Sequence, residues 1–250
     1  MLKVDNITIR FGGIVAVNDV SMEARDSAIT GLIGPNGAGK TTFFNCISGV
    51  YAPNEGSIVF NGEHIEGKAG YQICDVGIAR TYQVINLFWK MSVLENVLVG
   101  MHTRLKSGTF SSIFHTAKER EEEKKAREHA MELLRFVGLE EKANDRAMSL
   151  SYGEQRLLEI IRALASNPKL LLLDEPAAGM NTTEKAELDT LLKKIIKMGV
   201  SIIMIEHDMK LVMGICDYLY VLENGKLLAQ GVAEEVQNNP EVIRAYLGGE

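Results

Sequence analysis

The sequence predicts an α/β fold in which a mainly parallel sheet carries helices on both faces and is interrupted by an inserted helical lobe. Three observations carry that prediction. Residues 28–33, 170–173 and 200–205 are short, continuous apolar runs without alternation, the pattern of strands buried on both faces. Helical patterns separate such runs at both ends of the chain, as crossover connections between parallel strands require. From about residue 90 to about 150 the spacing is helical almost throughout. A chain of 250 residues has room for one large domain or a core plus a subdomain, and for a sizeable core without disulfides or metal staples.

Taken in order, residues 2–10 alternate around Val4, Ile7 and Ile9 and predict a strand, and residues 15–22 predict a second. Residues 28–33 form a buried strand that runs into a glycine-rich loop, and residues 40–48 have helical character. Residues 57–60 predict a strand closed by an Asn61-Gly62 turn, and residues 77–82 another buried strand. Val93, Val97, Leu98 and Met101 then share one helical face, and the polar residues 103–112 predict a loop. The charge run 118–128 places Glu121/Lys125 and Glu123/Arg127 at i,i+4 spacing, as on a solvated helix face. Ala130, Leu133, Leu134 and Val137 give that helix an apolar side, and Gly138 ends it. Residues 154–165 predict a helix stopped by Asn167-Pro168, and residues 183–198 an amphipathic helix ended by Gly199. Residues 210–216 are helical, residues 218–222 and 226–230 flank an Asn224-Gly225 hairpin turn, and residues 233–247 form a terminal helix.

Composition narrows the class. Apolar residues at 46% and charged residues at 24% exclude disorder, collagen-like repeats and a disulfide scaffold. A net charge of −6 provides no global basic field, so no nucleic-acid partner is expected. Cys46, Cys74 and Cys216 form no CxxC pair and read as buried apolar residues in a reducing compartment. The N-terminal stretch lacks a signal-peptide core, and no apolar run approaches the ~20 residues that span a bilayer. The expectation is a soluble chain whose link to a membrane goes through a partner.

Four segments carry chemistry. Gly34-Pro35-Asn36-Gly37-Ala38-Gly39-Lys40-Thr41 matches G-x-x-x-x-G-K-[ST] between a strand and a helix. Its glycines let several N–H groups converge on one point, to which the helix N-terminus adds positive potential. Lys40 would bridge terminal phosphates, and the Thr41 hydroxyl would sit on Mg²⁺. The apolar strand ending in Asp174-Glu175 delivers two carboxylates to the ligand side of an open sheet, one for Mg²⁺ and one for the attacking water. In isolation that pair is equally a charged loop start. His207 follows the strand 200–205 and could reach a γ-phosphate, although lone histidines are usually solvated or structural. Ser151 precedes a helix as an ordinary N-cap would, and also as a second anion site would.

In this order the segments resemble the ATP-binding-cassette (ABC) ATPases, across essentially the whole chain. The resemblance implies a P-loop NTPase core with a mainly parallel sheet, an N-terminal antiparallel β part and an inserted helical subdomain. It implies three segments: residues 1–84 as the first part of the core, 85–152 as the helical subdomain ending in the signature motif, and 153–250 as the second part of the core. By resemblance, Asn36, Gly37, Ala38, Gly39, Lys40, Thr41 and Thr42 bind ATP, and Phe11 stacks on adenine. Thr41, Gln83 and Asp174 hold Mg²⁺, and Glu175, His207 and Lys40 carry the chemistry. Ser151, Gly153 and Glu154 match the signature that contacts the ATP of a second cassette. Two departures stand out. The signature reads LSYGE, with Tyr152 for a glycine and Glu154 for a glutamine, and Asn181 stands where the family commonly has aspartate.

Within the family, Phe11-Gly12-Gly13, the RTYQ segment ending at Gln83, Pro176-Ala177-Ala178-Gly179 and Tyr246-Leu247-Gly248 resemble the ATPase subunits of branched-chain amino acid importers. That implies ATP and Mg²⁺ as cofactors, with a location on the cytoplasmic face of the membrane. The implied partners are permease subunits, a second cassette and, indirectly, an extracytoplasmic solute-binding protein. Urea-type importers and the lipopolysaccharide-extracting ATPase share many of these details. Fe–S assembly ATPases are a non-transport alternative.

Overall fold

A computed structural model describes residues 1–101 and 117–247. The predicted loop at 103–112 lies outside the described residues. The chain divides into two compact units, one built from residues 1–83 and 169–250 and the other from residues 84–168.

The first unit contains two sheets. β1 (Leu2–Phe11), β2 (Ile14–Ala24), β4 (Glu55–Phe60) and β5 (Glu63–His64) form an antiparallel sheet in the order β2-β1-β4-β5. The second sheet has six strands in the order β10-β9-β3-β8-β7-β6, with β3 (Ile29–Ile33), β6 (Ile78–Arg80), β7 (Leu170–Asp174), β8 (Ser201–Ile205), β9 (Tyr218–Glu223) and β10 (Lys226–Gly231). Every neighbouring pair in it is parallel except β9 with β10. Strands β3, β7 and β8 are buried at every position, which is why they read as unbroken apolar runs.

Helix α1 (Lys40–Ile47) shares the core with both sheets. Its Phe43, Phe44 and Ile47 join Leu2, Ile7 and Ile9 of β1 and Leu172, Ile203 and Ile205 of the second sheet in one cluster. Burial of such side chains contributes about 1.5–3 kcal/mol each, enough to hold the N-terminus of α1 at the sheet's edge. The remaining helices of this unit are α2 (Gly70–Val76), α6 (Thr182–Lys197), α7 (Met209–Ile215), α8 (Ala233–Gln237) and α9 (Pro240–Leu247). The predicted single helix at 233–247 is therefore broken in two. Pro240 has no N–H for a continuing helix, and Asn239 Oδ1 accepts the Glu241 amide at 2.9 Å to start the second segment.

Among the described residues the second unit is helical: α3 (Val93–Gly100), α4 (Ala117–Phe136) and α5 (Tyr152–Leu164), with two short 3₁₀ turns. Ser92 and Glu95 form a capping box at the start of α3. The Glu121–Lys125 pair predicted on α4 is formed at 2.7 Å. Gly100 lets α3 approach α5 closely, since a Cβ there would lie 2.1 Å from the Arg162 carbonyl oxygen. Helix α5 belongs to this unit by its contacts with α3 and α4, although the sequence reading begins the second part of the core at residue 153.

Candidate functional site

Register sets the site. Leu32 of β3 and Asp174 of β7 both lie opposite Ile205 of β8, so the three strands end within one residue of one another. Their next residues, Ile33-Gly34, Glu175 and Glu206-His207, are delivered to one edge, the ligand edge of an open α/β sheet.

Gly34 and Gly39 of the phosphate-type loop leave no room for a Cβ. Gly34 has φ 146°, and a Cβ there would lie 2.1 Å from the Leu222 carbonyl oxygen. Gly39, the N-cap of α1, is left-handed at φ 96°, and the first turn of that helix receives no side-chain cap. Its free N–H groups and the helix dipole make an anion-binding site. Lys40 is buried and donates from Nζ to the carbonyl oxygens of Gly34 at 2.7 Å and Pro35 at 2.9 Å. Burial pulls the Lys40 ammonium below the ordinary lysine value, while Glu175 and Asp174 act the other way by favouring its charge.

A cavity of about 610 Å³ opens over this loop. Asn36, Gly37, Ala38, Gly39, Lys40, Thr41 and Thr42 line it together with Gln83, Glu175 and His207. The Glu175 carboxylate sits between two side chains, accepting from Gln83 Nε2 at 3.0 Å on Oε2 and meeting His207 Nε2 at 3.0 Å on Oε1. The second contact is a hydrogen bond when His207 carries its proton on Nε2. Glu175 is itself left-handed, with φ 49°.

Buried Glu206 fixes the loop that carries His207. Its Oε1 accepts the Ala177 amide at 2.7 Å, and its Oε2 accepts the amides of His207 at 2.9 Å and Asp208 at 3.2 Å. It thus ties the segment after Glu175 to the segment after β8. Asp174 is 3% exposed and pairs with Arg80 at 2.9 Å. Asp174 does not line the cavity, and neither does Phe11, whose ring meets Tyr51 edge-on at 5.1 Å. Ile14, Val15 and Ala16 of β2 line the cavity beside the loop.

Ser151, Gly153 and Glu154 lie in the helical unit. Ser151 caps α5, and its Oγ accepts the Glu154 amide at 3.4 Å. Both oxygens of Glu154 are engaged, by the Ser151 amide at 2.9 Å and by Lys142 at 2.5 Å. Burial raises the Glu154 pKa, but the Lys142 and Ser151 hydrogen bonds outweigh it and leave the carboxyl below its ordinary value. Gly153 is buried.

Sequence reasoning passed over several contributors. The Gly225 amide of the β9–β10 turn donates to the Ala38 carbonyl at 3.1 Å and buttresses the phosphate-type loop. The Tyr246 phenol of α9 is buried beside the Gly34 amide, short of good hydrogen-bond geometry, and burial pushes its pKa up to about 12. The YLG ending was the available signal for Tyr246, and the Asn-Gly pair for the turn.

Comparison with known proteins places this geometry. The model of the family described as "ABC transporter" matches residues 17–178, and that described as "Branched-chain amino acid ATP-binding cassette transporter" matches residues 226–250. The chain is 49% identical over 249 residues to the high-affinity branched-chain amino acid transport ATP-binding protein LivG of Salmonella typhimurium, covering 99% of this chain and 98% of that one. A solved ATP-binding cassette of an ABC transporter in its ADP conformation superposes with TM-score 0.87 at 33% identity, covering 100% and 99% of the two chains. A dimeric post-hydrolysis cassette bound to ADP and Pi superposes at 0.77 with 25% identity, covering 93% and 99%. A three-strand edge, a glycine loop opening a helix and a near-full-length likeness agree: the chain belongs to the ABC transporter family, as one of its ATP-hydrolysing cassettes.

Proposed function

We propose that this cassette powers an importer of branched-chain amino acids, docked on permease subunits at the cytoplasmic face of the membrane and paired with a second cassette. The observation that carries the hydrolytic part is the Glu175 carboxylate, held between Gln83 and His207 on the wall of the cavity that contains Lys40. The cargo rests on the likeness to LivG and on the C-terminal match at residues 226–250. Among the described residues no helix is long and apolar enough to cross a membrane.

The donor set fits Mg²⁺. The Asp174 carboxylate, Thr41 hydroxyl and Gln83 amide offer hard oxygens, and among the described residues no group of three His, Cys, Asp or Glu could hold a metal unaided. Phosphate oxygens of the nucleotide would therefore complete the shell. Bound there, Mg²⁺ supplies charge neutralisation on the β- and γ-phosphates.

The chain's own groups do the rest. Amides of residues 36–42 and the Lys40 ammonium hold the phosphates and favour the charge that develops on them. Glu175 orients the attacking water and accepts its proton, and Gln83 and His207 fix both carboxylate oxygens for that task. Ser151 and Gly153 serve the ATP of the second cassette, so that ATP bridges two chains and hydrolysis releases them. Glu154, occupied by Lys142 and the Ser151 amide, supports this contact by holding the cap.

Affinity purification from detergent-solubilised membranes tests the reading. Polytopic permease subunits should co-purify and stimulate phosphate release. A purely soluble eluate, or a nucleic-acid or Fe–S partner, would overturn the importer assignment and leave the ATPase intact.

A further inference from the structure

Arg80 is the last residue of β6, the edge strand of the six-stranded sheet, and its side chain is 6% exposed. Its guanidinium reaches three partners on two other elements. Nη2 donates to Asp174 Oδ2 at 2.9 Å, and Nη1 donates to Asn45 Oδ1 and Ser48 Oγ, both at 2.7 Å. Asn45 lies in α1, and Ser48 is its C-cap. The plane is further bracketed by two rings, Tyr82 at 5.1 Å and Phe44 at 5.6 Å from Arg80 Cζ.

Such an arrangement is costly unless it does something. A buried carboxylate needs a hydrogen-bonding partner that also fixes its orientation. Arg80 is that partner for Asp174. It occupies Oδ2, and among the described residues nothing hydrogen-bonds Oδ1. The carboxylate is thus fixed in rotation and left with one oxygen for a further ligand. The same guanidinium ties Asp174 to α1, the helix that begins with Lys40-Thr41. Distance between the Asp174 oxygen and the Thr41 hydroxyl is thereby referred to one rigid fork, which lysine could not reproduce.

We propose that Arg80 is a positioning residue for the divalent cation of the nucleotide complex, presenting Asp174 Oδ1 in register with Thr41. This rests on the reading of Asp174 and Thr41 as cation ligands. Arg80 and Gln83 lie three residues apart, so one short segment restrains both acids at the end of β7, Asp174 through Arg80 and Glu175 through Gln83.

The experiment uses the full chain loaded with a non-hydrolysable ATP analogue, with Mn²⁺ as probe and the free-ion EPR signal as readout. In Arg80→Lys the half-saturating Mn²⁺ concentration should rise about ten-fold, the size expected when support behind a metal ligand is lost. Affinity for the analogue in EDTA should stay at the wild-type value. The double variant Asn45→Ala/Ser48→Ala keeps the Arg80–Asp174 pair, removes its anchor, and covers the case in which Arg80→Lys fails to fold. It should show a smaller rise in the same direction. Unchanged Mn²⁺ binding in a folded Arg80→Lys would overturn the proposal, and an unchanged double variant would overturn the anchoring to α1. Asp174→Asn separates the two levels: if it too binds Mn²⁺ normally, the assignment of Asp174 as a ligand has failed rather than the role of Arg80.

Discussion

At Glu175 the backbone and the side chain make opposite demands. The residue holds a left-handed conformation, φ 49°, that costs a non-glycine residue about 1–3 kcal/mol. Ladder-like bonds maintain it, with the Glu175 amide donating to the Ile205 carbonyl at 2.9 Å and its own carbonyl accepting the Ala178 amide at 3.2 Å. The conformation turns the carboxylate toward Gln83 and His207. Glu175→Gln keeps shape and backbone strain but loses the proton acceptor. Phosphate release should fall by about 100-fold or more, while nucleotide binding persists and ATP-bound dimers accumulate on size-exclusion chromatography. Turnover near the wild-type rate would remove Glu175 from the chemistry.

Among the elements, α7 shows how caps steer the site. Asp208 is its N-cap, accepting the Leu211 amide at 3.1 Å, and pairs with Lys185 of α6 at 2.6 Å. The Lys185 hydrogen bond, helped by the Leu211 amide, holds the Asp208 carboxyl below its ordinary value of 3.8. A carboxyl depressed on folding stabilises the native state above the unfolded value, and that contribution is lost as pH falls through the folded value. Asp208→Ala should therefore cost about 1 kcal/mol in urea unfolding at neutral pH. The gap between variant and wild type should close as the pH drops below 3.8, the unshifted value. A gap that persists in acid would assign the cost to packing. Elements built from local signals were legible beforehand: the buried strands β3, β7 and β8, the glycine loop, and the N-cap at Ser151. α2 was not, because a run of seven residues that starts at Gly70 is too short for a helical period to show. Nor was the direction of the Phe11 ring, because tertiary contact with Tyr51 sets it. The Arg80–Asp174 and Gly225–Ala38 contacts join residues far apart in sequence, where no spacing rule reaches.

For the whole molecule, binding of nucleotide to the native cavity is linked to unfolding. At 100 times its dissociation constant a ligand adds about 2.7 kcal/mol, which for a chain of this size corresponds to a rise of roughly 5–10 °C in the thermal midpoint. MgATP should produce that shift in the wild type, and Lys40→Ala, which removes the bonds to Gly34 and Pro35, should abolish it. An equal shift in the variant would detach Lys40 from binding.

The strand order also governs when the cavity can exist. β1, β2 and β4 pair with near neighbours in sequence and can close early, whereas β3 pairs only with β8 and β9, from the far end of the chain. Long loop closures are slow and come late. On the ribosome, the complete phosphate-loop motif emerges long before anything can hold it in shape. A nascent chain that stops short of β8 carries the motif as a string of residues with no nucleotide site. Commitment to ATP is thus deferred until β8 and β9 have emerged and can pair with β3 beside α1.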